Sequence, residues 1–138
     1  MITQQYIEDL SFKIIGCSIE VHKNLGPGLL ESIYEQCLAY ELTAAGLQVK
    51  YQQSIPVKYK NMELDCQLRY DLLVEDLIVV ELKAVDIMLP IFKAQLITYL
   101  KLLHKPKGLL INFNTLNISK SIESVVTPRA NALKLVVA

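Results

Sequence analysis

Neither sign of charge is in excess, because fourteen basic and fourteen acidic side chains cancel. Nucleic-acid binders usually carry a basic surplus. The balance therefore lends no support to such a partner, although a local patch can exist on a neutral protein. Long apolar runs are missing too; none approaches the roughly 18 residues that a membrane-crossing helix needs. The opening MITQQYIEDLSFK lacks the basic-then-apolar pattern of a secretion signal, so a cytoplasmic protein with no membrane partner is expected. Cysteine is scarce. Cys17, Cys37 and Cys66 are odd in number and scattered, with neither zinc spacing nor a disulfide framework, and they read as buried thiols. Internal repeats, linkers and low-complexity stretches are also absent.

The chain has 138 residues, of which 52% are apolar and 20% charged, enough for one globular domain over residues 1–138 with one core. A mean hydropathy of +0.32 is high for a chain of this size and reads as a well-filled core, with room for an apolar surface of a homo-oligomer.

Helical spacing runs from Gln4 to Leu25, with Ile7, Leu10, Ile14, Cys17 and Val21 on one stripe. Leu25-Gly26-Pro27-Gly28 breaks it. A second helix is expected over about 30–45, with Ile33, Cys37, Leu38, Leu42 and Ala45 as its apolar face and Gly46 as its cap. Extended stretches follow over 49–59, 63–74 and 77–84, with Pro56 arguing for an edge or a bulge. Pro90 suits the first turn of a third helix reaching Leu103, stopped by Pro106 and Gly108. Two more strands are expected at 108–113 and 116–126, while residues 130–137 fit either a helix or an extended tail. The order α-α-β-β-β-α-β-β predicts a mixed α/β fold, a mixed central sheet flanked by helices. Its third helix makes the strands on either side parallel.

The stretch RYDLLVEDLIVVELK, Arg69 to Lys83, holds charges that do not belong in a core. Asp71 lies on one strand and Glu81 and Lys83 on the next, among Leu, Ile and Val residues that mark strands buried on both faces. Such charges are costly unless paired or bound to a metal. Glu81 and Lys83 are two apart and share a face. A two-residue turn would set Asp71 opposite Val80, facing away. A three-residue loop, Glu75 to Leu77, sets it opposite Glu81, and that form is expected here. Converging Asp71 and Glu81 carboxylates suit Mg²⁺ or Mn²⁺, and Lys83 beside them suits phosphodiester hydrolysis. The D…ExK pattern is weak by itself, because Asp71 has Arg69 and Lys83 as alternative partners.

Gly28-Leu29-Leu30-Glu31-Ser32-Ile33-Tyr34 fits the signature of the GxxExxY protein family. RYDLLV, VVELKAVD, AQLITYLKLL and GLLINF resemble that family in order over about residues 15–126. The family is placed in the PD-(D/E)XK nuclease-like superfamily, near its RecB-type branch. The resemblance implies a restriction-endonuclease-like core and carries Asp71, Glu81 and Lys83 over as the D…ExK site. It also implies Glu31 as a further acidic ligand of the metal. Gln95, in a QxxxY element with Tyr99, would hydrogen-bond a water or the substrate phosphate. The implied substrate is nucleic acid, with DNA favoured over RNA.

Plainer roles stand beside these. Glu31 suits the positive end of its helix dipole, and Gln95 suits an exposed helix position. Tyr34 and Tyr99 suit packing with a bonded hydroxyl. His22 either lines the cleft or caps its own helix; Arg69 either touches phosphate or pairs with Asp71 or Glu63. Two functions follow: a Mg²⁺- or Mn²⁺-dependent nuclease, or a catalytically silent nuclease-fold interaction module, as a homodimer or a subunit of a complex.

Overall fold

The computed structural model describes residues 2–64 and 66–128. Helix α1 (Gln4–Leu25) starts where the Thr3 side chain accepts the Tyr6 N–H and ends at Gly26, whose φ of 68° turns its N–H onto His22 O. Helix α2 (Glu31–Ala44) follows the Gly26–Leu30 loop, and Gly46, at φ 85°, closes its end on Thr43 O. Five strands come next: β1 (Val49–Tyr51), β2 (Val57–Tyr59), β3 (Met62–Leu64), β4 (Leu72–Val74) and β5 (Ile78–Lys83). Helix α3 (Pro90–Leu103) opens on Pro90 and ends at His104 in the left-handed region. Strand β6 (Lys107–Asn112), a 3₁₀ turn (Ile118–Lys120) and β7 (Ile122–Val126) complete the described chain.

The main sheet runs β1-β4-β5-β6-β7, and β2-β3 form a separate hairpin. Among the described strands, only β5 and β6 pair in parallel, as the helical crossover between them allows. Alternation sorts the strand residues onto two faces. Leu72, Val74, Ile78, Val80, Leu82, Leu109 and Ile111 pack against Ile7, Leu10, Ile14, Leu38 and Leu42 of α1 and α2. Leu73, Val79, Leu110 and Val125 pack against Leu96, Tyr99 and Leu100 of α3. No helix among the described residues is long and apolar enough to cross a membrane.

The structure corrects several expectations. The stretches 49–59 and 63–74 are not continuous strands. Gln52 takes a left-handed φ of 51° that interrupts the ladder, antiparallel pairing resumes at Ser54 and Arg69, and the chain then forms the separate β2–β3 hairpin before returning to β4. The buried residues of α2 are Tyr34, Glu35, Leu38 and Leu42; of the expected face Leu38 and Leu42 are in the core and Cys37 packs at its edge, while Ile33 is exposed and Tyr34 and Glu35 are buried in its stead. Cys66 is exposed and Cys17 and Cys37 are half-buried, so none is a core thiol. Gly108 does not stop α3. It lies within β6, where an added Cβ would meet Leu96 Cδ1 at 2.9 Å. Residues 130–137 fall outside the described residues.

Candidate active site

The β4–β5 hairpin turns through Glu75, Asp76 and Leu77, pairing Val74 with Ile78. Glu75 and Asp76 are both left-handed, at φ 52° and 57°, and Leu77 N–H closes onto Val74 O at 3.0 Å. The Glu75 carboxylate accepts the Gln48 N–H at 2.7 Å and faces the Tyr6 hydroxyl at 3.3 Å, so the loop is anchored. The ladder runs Val74↔Ile78, Leu73↔Val79, Leu72↔Val80. One step further, that register sets Asp71 opposite Glu81, and both lie on the α3 face with Lys83.

The ladder ends there because carboxylates replace backbone partners. Leu82 N–H donates to Asp71 Oδ2 at 2.8 Å, and Asp71 N–H donates to Glu81 Oε1 at 3.3 Å. Glu81 is only 8% exposed. Burial, then a hydrogen bond and charge repulsion from Asp71, drive its carboxyl far above the usual carboxylate range, with Lys83 opposing. Lys83 Nζ sits 4.5 Å over the Phe92 ring of α3.

Helix α2 brings Glu31 to the same place. Its carboxyl is raised by burial and then by Asp71, and lowered by Lys83. The approach is set by the preceding loop. The Tyr34 ring, stacked on Phe113 at 4.7 Å, donates its hydroxyl to Gly26 O at 2.6 Å and accepts the Leu29 N–H at 3.1 Å. Gly28 passes through φ 99° in that loop, a region open to glycine. Tyr99 also feels the cluster: burial first, then Glu81 and Asp71, push its phenol up.

Together these groups form a partly desolvated acidic cluster with one lysine. A family model of the PD-(D/E)XK nuclease superfamily matches residues 8–125. The chain belongs to that superfamily. No curated protein and no solved structure matches it. The five-stranded mixed sheet between helices is consistent with the superfamily's restriction-endonuclease-like fold. PD-(D/E)XK nucleases act on nucleic acid and generally use divalent metal ions.

The donor set fits such an ion. Asp71, Glu81 and Glu31 offer hard oxygen ligands; burial above all, with repulsion from Asp71 added, raises the Glu81 and Glu31 carboxyls, and a cation would favour their charged forms. Among the described residues, no three His, Cys, Asp or Glu side chains already close into a metal cage.

Among the described residues, the other expected side chains make no hydrogen bond or ion pair with these carboxylates. Gln95 is exposed on α3, one turn before Tyr99. Tyr34 acts on the loop, as described. His22 does not cap its own helix with its ring: its Nε2 bonds Thr115 O at 2.7 Å, tying α1 to the segment after β6. Arg69 is exposed beside the isolated Ser54 bridge, and no ion pair joins it to Asp71 or Glu63.

Sequence reasoning missed two residues. Glu35, 4% exposed on α2, is pushed up to about 7 by burial above all, with Asp71 and Glu31 adding and a Gln52 hydrogen bond opposing. Gln52 donates through Nε2 to that carboxylate and to Asp71 Oδ1 at 3.2 Å. The signal for Glu35 was its spacing of four from Glu31, which puts both on one helix face.

Proposed function

We propose that this protein is a metal-dependent nuclease hydrolysing phosphodiester bonds. The observation that carries the reading is the end of the β4–β5 ladder, where Asp71 and Glu81 carboxylates meet with Lys83 on the same face. Asp71 and Glu81, with Glu31 from α2, are the residues that would hold Mg²⁺ or Mn²⁺. Once bound, the ion supplies charge neutralisation at the phosphoryl oxygen and eases deprotonation of the attacking water. Lys83 offers an ammonium donor to the phosphate and to that water; the ammonium itself lies over the Phe92 ring. Gln95, exposed on the same helix as Tyr99, is assigned a hydrogen bond to water or phosphate.

Gly28, Glu31 and Tyr34 support a place in the GxxExxY family, and Gln95 with Tyr99 supports the RecB-type branch. DNA is taken ahead of RNA on that likeness, and the cytoplasm as the compartment. The test is cleavage of linear and circular, single- and double-stranded DNA and of RNA in Mg²⁺ or Mn²⁺. Cleavage should vanish with chelator and fall about 100-fold or more in Asp71→Asn and in Lys83→Ala, with unchanged circular dichroism. Cleavage at the wild-type rate by both variants would contradict the reading. Absence of cleavage on every substrate would favour the silent module, for which exposed Leu30, Tyr40, Ile87 and Ile91 offer apolar contact surface.

A further inference from the structure

Gln52 stands where β1 stops. Its N–H still donates to Asp71 O at 2.9 Å, so the β1–β4 ladder reaches this pair. The φ of 51° then turns the chain, and Asp71 N–H goes to Glu81 Oε1 instead of returning to Gln52. A non-glycine residue in the left-handed region is uncommon, and this one adjoins the acidic cluster. The side chain explains why glutamine is there. One amide nitrogen carries two hydrogens, and here they reach Asp71 Oδ1 and the buried Glu35 carboxylate. A lysine or arginine would do the same but would cancel the negative charge that draws a divalent cation. The amide donates twice and adds no charge. Asp71 Oδ2 is meanwhile held by Leu82 N–H, so both oxygens of this carboxylate are fixed in direction.

We infer that Gln52 is a positioning residue of the site: through its backbone turn and its amide bridge to Glu35 it holds Asp71 in the orientation that binds the cation. The inference rests on the metal-dependent reading above. It places Gln52 outside the ligand set, acting only through Asp71.

Gln52→Asn and Gln52→Gly test it, because both residues tolerate a left-handed φ. The asparagine amide is one methylene short of spanning both carboxylates, and glycine has none. Mn²⁺ affinity is measured by calorimetry and melting without metal by circular dichroism. Both variants should melt within a few degrees of wild type without metal and bind Mn²⁺ about 10- to 100-fold more weakly, glycine the weaker. Gln53→Gly, which loses only an amide bond to Tyr51 O, should bind as wild type does. Wild-type affinity in both Gln52 variants would overturn the inference and leave the nuclease reading standing. So would collapse of metal-free melting in both, which would make Gln52 a folding residue. No Mn²⁺ binding by wild type would overturn the nuclease reading and this inference with it.

Discussion

At the scale of residues, two glutamates carry protons that an unfolded chain would release. Glu35, raised to about 7 from an ordinary 4.5, and Glu81, raised further, are protonated in the fold over a range where the unfolded chain is ionised. The folded state binds more protons there, so the stability that these two carboxyls contribute to the metal-free protein is fully present below about pH 4.5; the Glu35 share is lost as pH rises through about 7 and the Glu81 share only at higher pH. Glu35→Gln should remove the share of that loss between pH 4.5 and 7 and make the metal-free protein more stable at pH 8. Urea unfolding at pH 5 and pH 8 measures it; an unchanged slope would contradict the shift. Asp71, Glu81 and Lys83 were legible because they interrupt apolar strands. Glu35 was not, because the Ile33–Cys37 stripe competed for the same helix and the buried face is set by packing on the sheet. Gln52 was not, because nothing in a glutamine announces a left-handed φ.

At the scale of elements, helices were read better than strands. The limits of α1 and α3 match their caps and apolar periods: Thr3 and Gly26 for one, Pro90 and His104 for the other. Strands depended on partners far along the chain, so Gln52 and the β2–β3 hairpin divided stretches that looked continuous. The three-residue Glu75–Leu77 loop was legible only through the burden of burying charges on the wrong face. Two elements yield predictions. Tyr34→Phe removes the hydroxyl that joins Gly26 O to Leu29 N–H. It should cost about 1–2 kcal/mol in denaturant unfolding and weaken Mn²⁺ binding through Glu31; an unaffected midpoint would deny the loop that role. Gly108→Ala drives a Cβ into Leu96 and should cost about 1–3 kcal/mol, measured the same way. A neutral result would mean that α3 shifts freely on β6.

At the scale of the whole molecule, the mixed sheet between α1–α2 and α3, with β5 parallel to β6, followed from the order of elements. The hairpin outside the sheet did not, since β2 and β3 bury little and carry no periodic signal. The fold brings residues from α2, β4, β5 and α3 to the place where β4 and β5 stop pairing. The zero net charge leaves attraction of a cation to that local cluster rather than to the molecule at large. The central claim is that this cluster is a divalent-cation site built around Asp71. Its most direct test is a melting curve at neutral pH with and without Mn²⁺, on wild type and Asp71→Asn. With the ion at about 100 times Kd, binding adds roughly 2.7 kcal/mol and several degrees to the wild-type midpoint, and the account predicts that Asp71→Asn abolishes the rise. No rise in wild type, or an equal rise in the variant, would contradict it.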